Sequence, residues 1–207
     1  MKELKKVFKN YIKSGDLVYD IGGLADVLHK VKSNHQLIKD FSSDVICIDP
    51  FEKPLKEARE KGFNVISKDV FDFNPKRKAD VIFAGEIIEH MENQGLFIDK
   101  LKQLLKPNGT IIITTPNSTY LMECLNILIK GKIQHENLKC KPVNDVFPSG
   151  HFHIHNLRTL TQLCLTKNLK IIEVRYKEHN KYKWLNWLNP RFRNSIIIVC
   201  QKEYGHK

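Results

Sequence analysis

Acidic residues, glycines and other turn-forming residues follow five separate apolar runs of the chain. These groups are Asp20 with Gly22 and Gly23, Asp49 with Pro50, Asp69, Gly85 with Glu86, and Thr115 with Pro116 and Asn117. In open sheets covered by helices, ligands bind beyond the carboxyl ends of the strands. The repeated pattern therefore predicts one ligand-binding edge, although any single residue could instead begin a turn or cap a helix.

The residue types in these groups are those that bind a nucleoside. Gly22 and Gly23 precede a helical pattern, and their missing side chains would let a ligand reach backbone N–H groups. Asp49 could accept hydrogen bonds from both hydroxyls of a ribose. Asp69 could accept one from an exocyclic amine such as that of adenine. We therefore expect a nucleoside to bind along this edge.

Histidines form a second group of potentially reactive residues. His90 follows the fourth apolar run, and His151, His153 and His155 alternate along the chain. An extended segment would place these three on one face, where they could bind zinc, bind or deprotonate an acceptor molecule, or simply be solvated. No nearby cysteine or carboxylate supplies a clear fourth metal ligand. We therefore assign no metal site and take His90, His151 and His155 as catalytic candidates.

Short apolar runs alternate with helical patterns through the first two thirds of the chain. The predicted strands span residues 17–21, 45–48, 63–66, 79–84 and 110–115, and the predicted helices span 1–13, 24–41, 52–61, 96–106 and 118–130. The strands are continuously apolar, as in a parallel sheet with both faces covered. This alternation predicts an α/β, doubly wound, mostly parallel sheet.

The last third adds a helix over 156–167 and strands over 169–176 and 195–201. No domain boundary is visible, so we predict a single domain over residues 1–207, with 131–155 and 179–193 as substrate-side insertions. Apolar residues in the second insertion form a stripe flanked by basic residues: Tyr182, Trp184, Leu185, Trp187 and Leu188. The stripe, within 181–193, could contact a membrane surface or a lipid-linked acceptor, or it could be a lid that covers the core.

The composition is basic, with 34 Lys and Arg against 23 Asp and Glu, a net charge of +11. This balance permits binding to nucleic acid, anionic lipid or acidic metabolites without requiring any of them. No apolar stretch approaches the roughly 18 residues of a transmembrane helix, and the charged N-terminus lacks the apolar centre of a secretory signal. The five cysteines are odd in number and form no C-x-x-C pair, which favours a reducing compartment. We therefore expect a cytoplasmic protein.

The most specific stretch of the chain runs from Ala79 to Asn117. It contains A-D-V-I-F-A-G-E-I-I-E-H-M-E-N, followed by L-K-Q-L-L-K-P-N-G-T-I-I-I-T-T-P-N. These motifs resemble the fourth and fifth strands of class I S-adenosylmethionine-dependent methyltransferases, and they are most similar to the small-molecule subgroup that includes quinone and glycan-pathway enzymes. The pattern H-F-H-I-H-N-L-R-T-L, from His151 to Leu160, also resembles the segment in which that subgroup has a His before a Thr-Leu helix. The resemblance runs from about Leu17 to Gln201. It implies a seven-stranded Rossmann-like sheet whose last strand is antiparallel.

The resemblance also implies the cofactor, S-adenosylmethionine, and the residues that bind it. Asp20, Gly22 and Gly23 would form the first cofactor loop, Asp49 with Pro50 would bind the ribose, Asp69 with Val70 would contact adenine, and Ala84 and Gly85 would flank the methionine portion. The family loop normally reads Asp-x-Gly-x-Gly-x-Gly, whereas Leu24 and Asp26 stand at the later glycine positions here. Either the loop is shorter and Gly23 provides the close approach, or cofactor binding is weakened.

Methyl transfer from a sulfonium is an in-line displacement that depends mainly on alignment. A base such as His90 matters only for a hydroxyl or protonated amine acceptor. We expect a small-molecule, glycan-linked or lipid-linked acceptor. One alternative is an RNA methyltransferase, although no RNA-binding module is apparent. A second is a nicotinamide-dependent oxidoreductase, which would need a G-x-G-x-x-G motif that the sequence lacks. A third is a catalytically impaired scaffold protein, which the residues Leu24 and Asp26 at glycine positions would explain.

Overall fold

The computed structural model of the chain describes residues 2–24, 33–52, 55–131, 151–177 and 189–202. Its helices are α1 (Lys2–Tyr11), α2 (Asn34–Lys39), α3 (Leu55–Glu60), α4 (Gln94–Leu104), α5 (Leu121–Lys130) and α6 (Leu157–Thr166). Its strands are β1 (Leu17–Ile21), β2 (Asp44–Asp49), β3 (Asn64–Ser67), β4 (Ala79–Gly85), β5 (Leu105–Pro116), β6 (Leu169–Lys177) and β7 (Ser195–Lys202). Two 3₁₀ turns span Ile88–His90 and Pro190–Phe192.

The seven strands form one sheet in the order β3-β2-β1-β4-β5-β7-β6. Strands β1 to β5 are parallel to one another, so their carboxyl ends lie along one edge. Strand β7 is antiparallel to both β5 and β6. The predicted fold class is therefore confirmed, including the antiparallel last strand.

Helices cover both faces of the sheet. Successive strand residues point to opposite faces, so each strand contributes side chains to the core on both sides. In β1, the side chain of Val18 belongs to the same core cluster as Phe8 of α1, whereas Tyr19 belongs to the cluster on the other face that also contains Phe97 of α4 and Leu160 of α6. All five residues of β1 are buried. This double coverage explains why the central strands read as continuous apolar runs.

Local sequence explains where the elements near the carboxyl edge begin. Helix α4 begins after Asn93, whose side chain accepts a 3.0 Å hydrogen bond from the N–H of Leu96. Helix α6 begins at a capping box formed by Asn156 and Thr159. Such caps satisfy N–H groups that have no partner inside the helix.

The main difference from the predicted elements concerns β5. The turn residues 107–109 were expected to separate a helix from a strand that begins at residue 110, but β5 already begins at Leu105. The pairing with β4 shifts register between Ala79 and Val81, and Asn108 adopts a φ of 60°. Residues 107–109 therefore lie inside β5, where they form a local irregularity of the strand, as in a β-bulge.

Several expectations lie outside the described residues. They are the first part of the predicted helix 24–41, Asp26, most of the insertion 131–155, and the apolar stripe from Tyr182 to Leu188. Among the residues that are described, no helix combines the length and the apolar character needed to span a bilayer.

Candidate active site

The carboxyl ends of β1, β2 and β3 enclose a cavity of about 320 Å³, which we call the first cavity. Of the nine residues predicted to bind a cofactor, five line it: Gly22, Asp49, Pro50, Asp69 and Val70. Its remaining walls are Ile21, Ile48, Phe51, Glu86, Ile87, His90 and Met91. The strand ends therefore bring together the acidic residues that were expected to bind ribose and adenine.

Gly22 lets the loop after β1 approach the opposite wall of this cavity. Its φ of 73° is a conformation that other residues rarely adopt, and its N–H donates a 2.9 Å hydrogen bond to the carbonyl of Ile48. A Cβ at this position would lie 2.5 Å from Cδ1 of Ile87. The turn thus favours glycine, and any side chain here would also have to displace the end of the Ile87 side chain.

Asp49 is oriented by the backbone around it. Its Oδ2 accepts a 3.2 Å hydrogen bond from the N–H of Leu24, and its Oδ1 accepts one of 3.1 Å from the N–H of Phe51. The side chain is 2% exposed, and this burial raises its pKa above the ordinary value. Each carboxylate oxygen has two lone pairs, so both can still accept a hydrogen bond from a ligand.

Leu24 does not obstruct the first cavity. Its side chain is fully buried in a core cluster with Cys47, Ala58, Phe63 and Val65. The sequence suggested that a leucine at a glycine position would crowd a cofactor. The Leu24 side chain instead points away from the cavity, so it does not occupy that space. The loop faces the cavity with its backbone, while the leucine anchors it to the core behind β2.

Asp20 was predicted to belong to the cofactor loop, but it does not line the cavity. It is fully buried at the end of β1, where its Oδ2 lies 2.9 Å from Nδ1 of His35. Gly23 is adjacent, and a Cβ there would overlap the Asp20 carboxylate. Sequence reasoning missed His35, because nothing in its spacing links it to the loop.

Ala84 and Gly85 were also expected beside the cofactor, and neither lines the first cavity. Ala84 is fully buried in the core at the end of β4. The residues that follow them, Glu86 and Ile87, do line the cavity. Glu86 adopts a φ of 54°, so the chain turns sharply there and presents the next residues to the cavity.

A second cavity of about 260 Å³ lies beyond the ends of β4 and β5. Its walls come from four distant parts of the chain: Glu89, then Thr115, Pro116, Asn117, Ser118, Tyr120, Glu123 and Ile127, then His151, His153 and Ile154, and finally Asn194 and Ser195. The turn Ile88–His90 separates the two cavities, because His90 lines the first and Glu89 lines the second. The rings of His90 and His151 meet edge to face across this wall, with their centroids 4.8 Å apart.

Glu89 is a candidate functional residue to which the sequence analysis gave no role. The side chain is 2% exposed and accepts a 3.0 Å hydrogen bond from Oγ1 of Thr115. Burial, reinforced by the nearby charge of Glu86, raises the pKa of Glu89 to about 8. A carboxyl group with such a pKa can exchange a proton near neutral pH.

The alternating histidines do not form one cluster of three imidazoles. His151 approaches His90, and a ligand atom from each of these two residues and from Glu89 lies within 4.8 Å of the others, which is a spacing that could hold a divalent ion. His153 is exposed, and its Nε2 lies 3.3 Å from the carbonyl of Glu92. The segment turns because the N–H groups of Phe152 and His153 both donate to the carbonyl of Glu89.

His155, a predicted catalytic residue, lies outside both cavities. It is 5% exposed, and burial lowers its pKa to about 4, so the ring is neutral at neutral pH. Its Nε2 lies 2.7 Å from Nε2 of Gln94, which also donates a 2.8 Å hydrogen bond to the carbonyl of Ile88. A neutral imidazole can accept the second amide hydrogen. His155 thus supports the turn that carries Glu89 and His90.

Asn117 fixes the chain where it returns to the sheet before β7. Its Nδ2 donates to the carbonyls of Arg191 and Arg193, at 2.8 and 2.7 Å. Its backbone N–H donates a 2.8 Å hydrogen bond to the carbonyl of Asn194. Residues at the end of β5 and before β7 are thereby held together as one wall of the second cavity.

The strand order and the cavity at the carboxyl edge define the class I S-adenosylmethionine-dependent methyltransferase fold. A family model described as "Methyltransferase domain" matches residues 5–174. The chain therefore belongs to the methyltransferase domain family, and the predicted resemblance is confirmed.

Individual relatives agree with this assignment. The chain is 33% identical over 130 residues to a mitochondrial ubiquinone biosynthesis O-methyltransferase of Dictyostelium discoideum, a match that covers 56% of this chain and 40% of that protein. Its fold is similar to a methyltransferase structure from Bacillus halodurans, with a TM-score of 0.67, 12% identity, and coverage of 99% and 100% of the two chains. It is also similar to the N-methyltransferase NodS from Bradyrhizobium japonicum in complex with S-adenosylhomocysteine, with a TM-score of 0.59, 12% identity, and coverage of 98% and 87%. The chain thus spans about two fifths of the length of the curated relative.

Proposed function

We propose that the protein binds S-adenosylmethionine in the first cavity and transfers its methyl group to a small molecule in the second. In this assignment Asp49, next to Pro50, binds the ribose, and Asp69, next to Val70, contacts the adenine. Gly22 lets the cofactor lie against the backbone of the loop. Asp20, Gly23, Ala84 and Gly85 shape this site from behind.

The observation that carries the proposal is the shared wall between the two cavities. Methyl transfer requires the sulfonium, the methyl group and the acceptor atom to lie in line and close together. The turn Ile88–His90 presents His90 to the donor side and Glu89 to the acceptor side. A methyl donor in the first cavity would therefore lie next to an acceptor in the second.

Groups that exchange protons lie at this wall. If the acceptor is a hydroxyl, as the name O-methyltransferase indicates for the Dictyostelium relative, its proton must leave as the new bond forms. We assign the role of proton acceptor to His90 or His151, which adjoin the wall, because the raised pKa of Glu89 keeps its carboxyl mostly protonated at neutral pH. His155 is assigned a supporting role, because its ring is buried behind Gln94.

The acceptor is proposed to be a small molecule, in free or in glycan- or lipid-linked form. The relative acts in ubiquinone biosynthesis by its name, which supports a small-molecule acceptor. A peripheral membrane contact through residues 181–193 and a cytoplasmic location remain part of this proposal. The RNA alternative would require a basic channel, and the described walls of the second cavity contain no Lys or Arg.

Calorimetric titration with S-adenosylmethionine and S-adenosylhomocysteine tests the donor assignment. We expect both to bind with a dissociation constant below about 1 mM, and we expect a nucleoside to be detectable by mass spectrometry in gently purified protein. Absence of binding at millimolar ligand would favour the scaffold alternative. Radiolabelled methyl transfer to a panel of phenols, amines and RNA then identifies the acceptor class, and salt-dependent RNA binding would favour the RNA alternative.

A further inference from the structure

A carboxylate, an imidazole and a thiol meet behind the loop that follows β1. Asp20 and Cys47 are direct partners in the parallel ladder between β1 and β2, so their side chains point to the same face of the sheet. His35, from α2, reaches this face, where its Nδ1 lies 2.9 Å from Oδ2 of Asp20. One ligand atom from each of the three residues lies within 4.8 Å of the other two. We call these three residues the buried cluster.

The buried cluster is closed to solvent and separate from both cavities. Its three residues are 0% exposed, and none of them lines the first or the second cavity. Structural zinc sites are closed in this way, whereas catalytic zinc sites keep one position open. A zinc ion is smaller than a water molecule and lies about 2.0–2.3 Å from its ligand atoms. Ligand atoms that water cannot reach are therefore compatible with a bound ion.

The contact between Asp20 and His35 engages only half of the polar atoms of their side chains. Oδ1 of Asp20 and Nε2 of His35 are buried and have no hydrogen-bond partner among the described residues. Buried polar atoms in native proteins nearly always have a partner. A metal ion can engage such atoms, because a carboxylate oxygen and a neutral imidazole nitrogen both offer lone pairs.

The charges of the buried cluster also favour a divalent cation. Burial, and then the charges of Asp20 and Asp49, raise the pKa of the Cys47 thiol well above its ordinary value. Among the described residues, the ion pairs of Lys and Arg are made with other carboxylates than these two. A divalent ion bound to one carboxylate and one thiolate has no net charge. Such neutrality reduces the free-energy cost of burying the ionised groups.

We propose that Asp20, His35 and Cys47 bind one zinc ion as a structural metal site. Thiolate, neutral imidazole and carboxylate are the ligands that zinc takes, whereas magnesium and calcium prefer oxygen. Because Asp20 can offer both of its oxygens, the three side chains supply four donor atoms. On binding, the S–H bond of Cys47 breaks, its proton leaves to solvent and a sulfur–zinc bond forms. This site is independent of methyl transfer.

The proposed ion would join parts of the chain that are distant in sequence. Its ligands come from β1, α2 and β2, so it would fasten α2 to the two strands. Gly23 lies directly against the carboxylate of Asp20, where a Cβ would overlap the carboxylate oxygens. The ion would therefore also hold the loop whose Gly22 lines the first cavity. We expect it to contribute to the stability of the fold.

Titration of the full chain with cobalt(II), after a chelator has been applied and removed, tests the proposal. Cobalt(II) accepts the same kinds of ligand as zinc, and a cobalt–thiolate bond gives a charge-transfer band in the near ultraviolet. Glu89, His90 and His151 contain no thiol, so metal bound there cannot produce this band. We expect the band to saturate at about one equivalent of cobalt and to disappear when zinc is added. Absence of the band in wild-type protein would overturn the proposal.

Substitutions then identify the thiol. Cys47→Ala should lose the band, whereas Cys200→Ala, at another fully buried cysteine in a strand, is the matched control and should keep it. Asp20→Asn and His35→Ala should each weaken cobalt binding by at least about tenfold, because each removes a ligand. A band of wild-type intensity in Cys47→Ala would show that another cysteine binds the metal and that the assignment is wrong.

Thermal melting measures the structural role, and its main comparison uses wild-type protein alone. Free zinc at about a hundredfold excess over its dissociation constant should raise the melting temperature of the chelator-treated wild type by about 5–10 °C. Cys200→Ala should show the same rise, and Cys47→Ala should show little or none. A melting temperature of wild-type protein that does not respond to zinc would contradict a structural site.

Discussion

The two cavities are built in different ways, although they share a wall. Predicted residues of the first cavity lie directly at the ends of β1, β2 and β3, and its central carboxylate, Asp49, is held by nearby backbone N–H groups. The second cavity is assembled from four segments that lie between Glu89 and Ser195 in the sequence. It contains or adjoins Glu89 and His155, whose pKa values burial shifts, and Asn194, whose amide oxygen has no hydrogen-bond partner among the described residues. One edge of the sheet thus forms the cavity proposed for the methyl donor (the donor side), while distant segments form the cavity proposed for the acceptor (the acceptor side).

This difference explains what could be predicted from the sequence. The strands and the acidic residues after them were recognisable because each is a local pattern of consecutive residues. Glu89 was visible only as part of a motif, because its burial and its contact with Thr115 arise when β4 and β5 pair. Asn194 gave no signal at all, since its lone amide oxygen is a property of the assembled wall.

Two residues on the donor side show the limit of local patterns. Asp20 and Leu24 stand where the family motif places cofactor contacts. Their spacing in the sequence, however, does not show where their side chains point. Asp20 points inward to His35, and Leu24 points into the core behind β2. Motif position therefore did not show which side chains line the first cavity.

The largest expected effect concerns Leu24, which stands where the family motif has a glycine. It tests whether the loop after β1 can bind the cofactor with its backbone although that glycine is missing. Leu24→Gly restores a glycine but removes a fully buried side chain, so we expect the free energy of unfolding to fall by roughly 3–6 kcal/mol. Affinity for S-adenosylmethionine should not improve. Urea denaturation and calorimetry measure the two quantities, and a stable variant with tighter binding would show that Leu24 occupies cofactor space.

On the acceptor side, Glu89→Gln should change how stability depends on pH. Between pH 4.5 and about 8 the unfolded state loses a proton that folded Glu89 retains, so the free energy of unfolding falls as the pH rises, by about 3–5 kcal/mol in total. The variant should lack this decline. Urea denaturation at pH 5, 7 and 9 measures it, with the exposed Glu57→Gln as the control, and an unchanged slope would contradict the assignment.

His155→Gln should have the opposite pH dependence and a slightly smaller effect. Between pH 6.5 and about 4 the unfolded state binds a proton that the buried ring does not, so wild-type stability falls by about 3 kcal/mol as the pH drops. Glutamine can still accept from Gln94 but does not titrate, so acid sensitivity should decrease. The exposed His153→Gln should have a smaller effect, because the charge of His153 is the lesser cause of the lowered pKa of His155, and equal effects of the two substitutions would argue against burial as the main cause.

The smallest expected effect sharpens the donor assignment. Asp49→Ala should weaken binding of S-adenosylmethionine by about 1–3 kcal/mol, the scale of hydrogen bonds to a charged group. Asp44→Ala, at the opposite end of the same strand, is the matched control and should bind normally. Calorimetry on both folded variants compares them, and unchanged affinity in Asp49→Ala would remove the ribose assignment.

The bonds that Asn117 makes to the two carbonyls before Asn194 also bear on how this chain could be altered. They fix residues 191–194 against the end of β5, so this part of the wall of the second cavity is set before β7 begins. An affinity tag or a retargeting peptide engineered into the protein should therefore leave Asn117 and residues 191–194 unchanged, so that the geometry of the wall is retained.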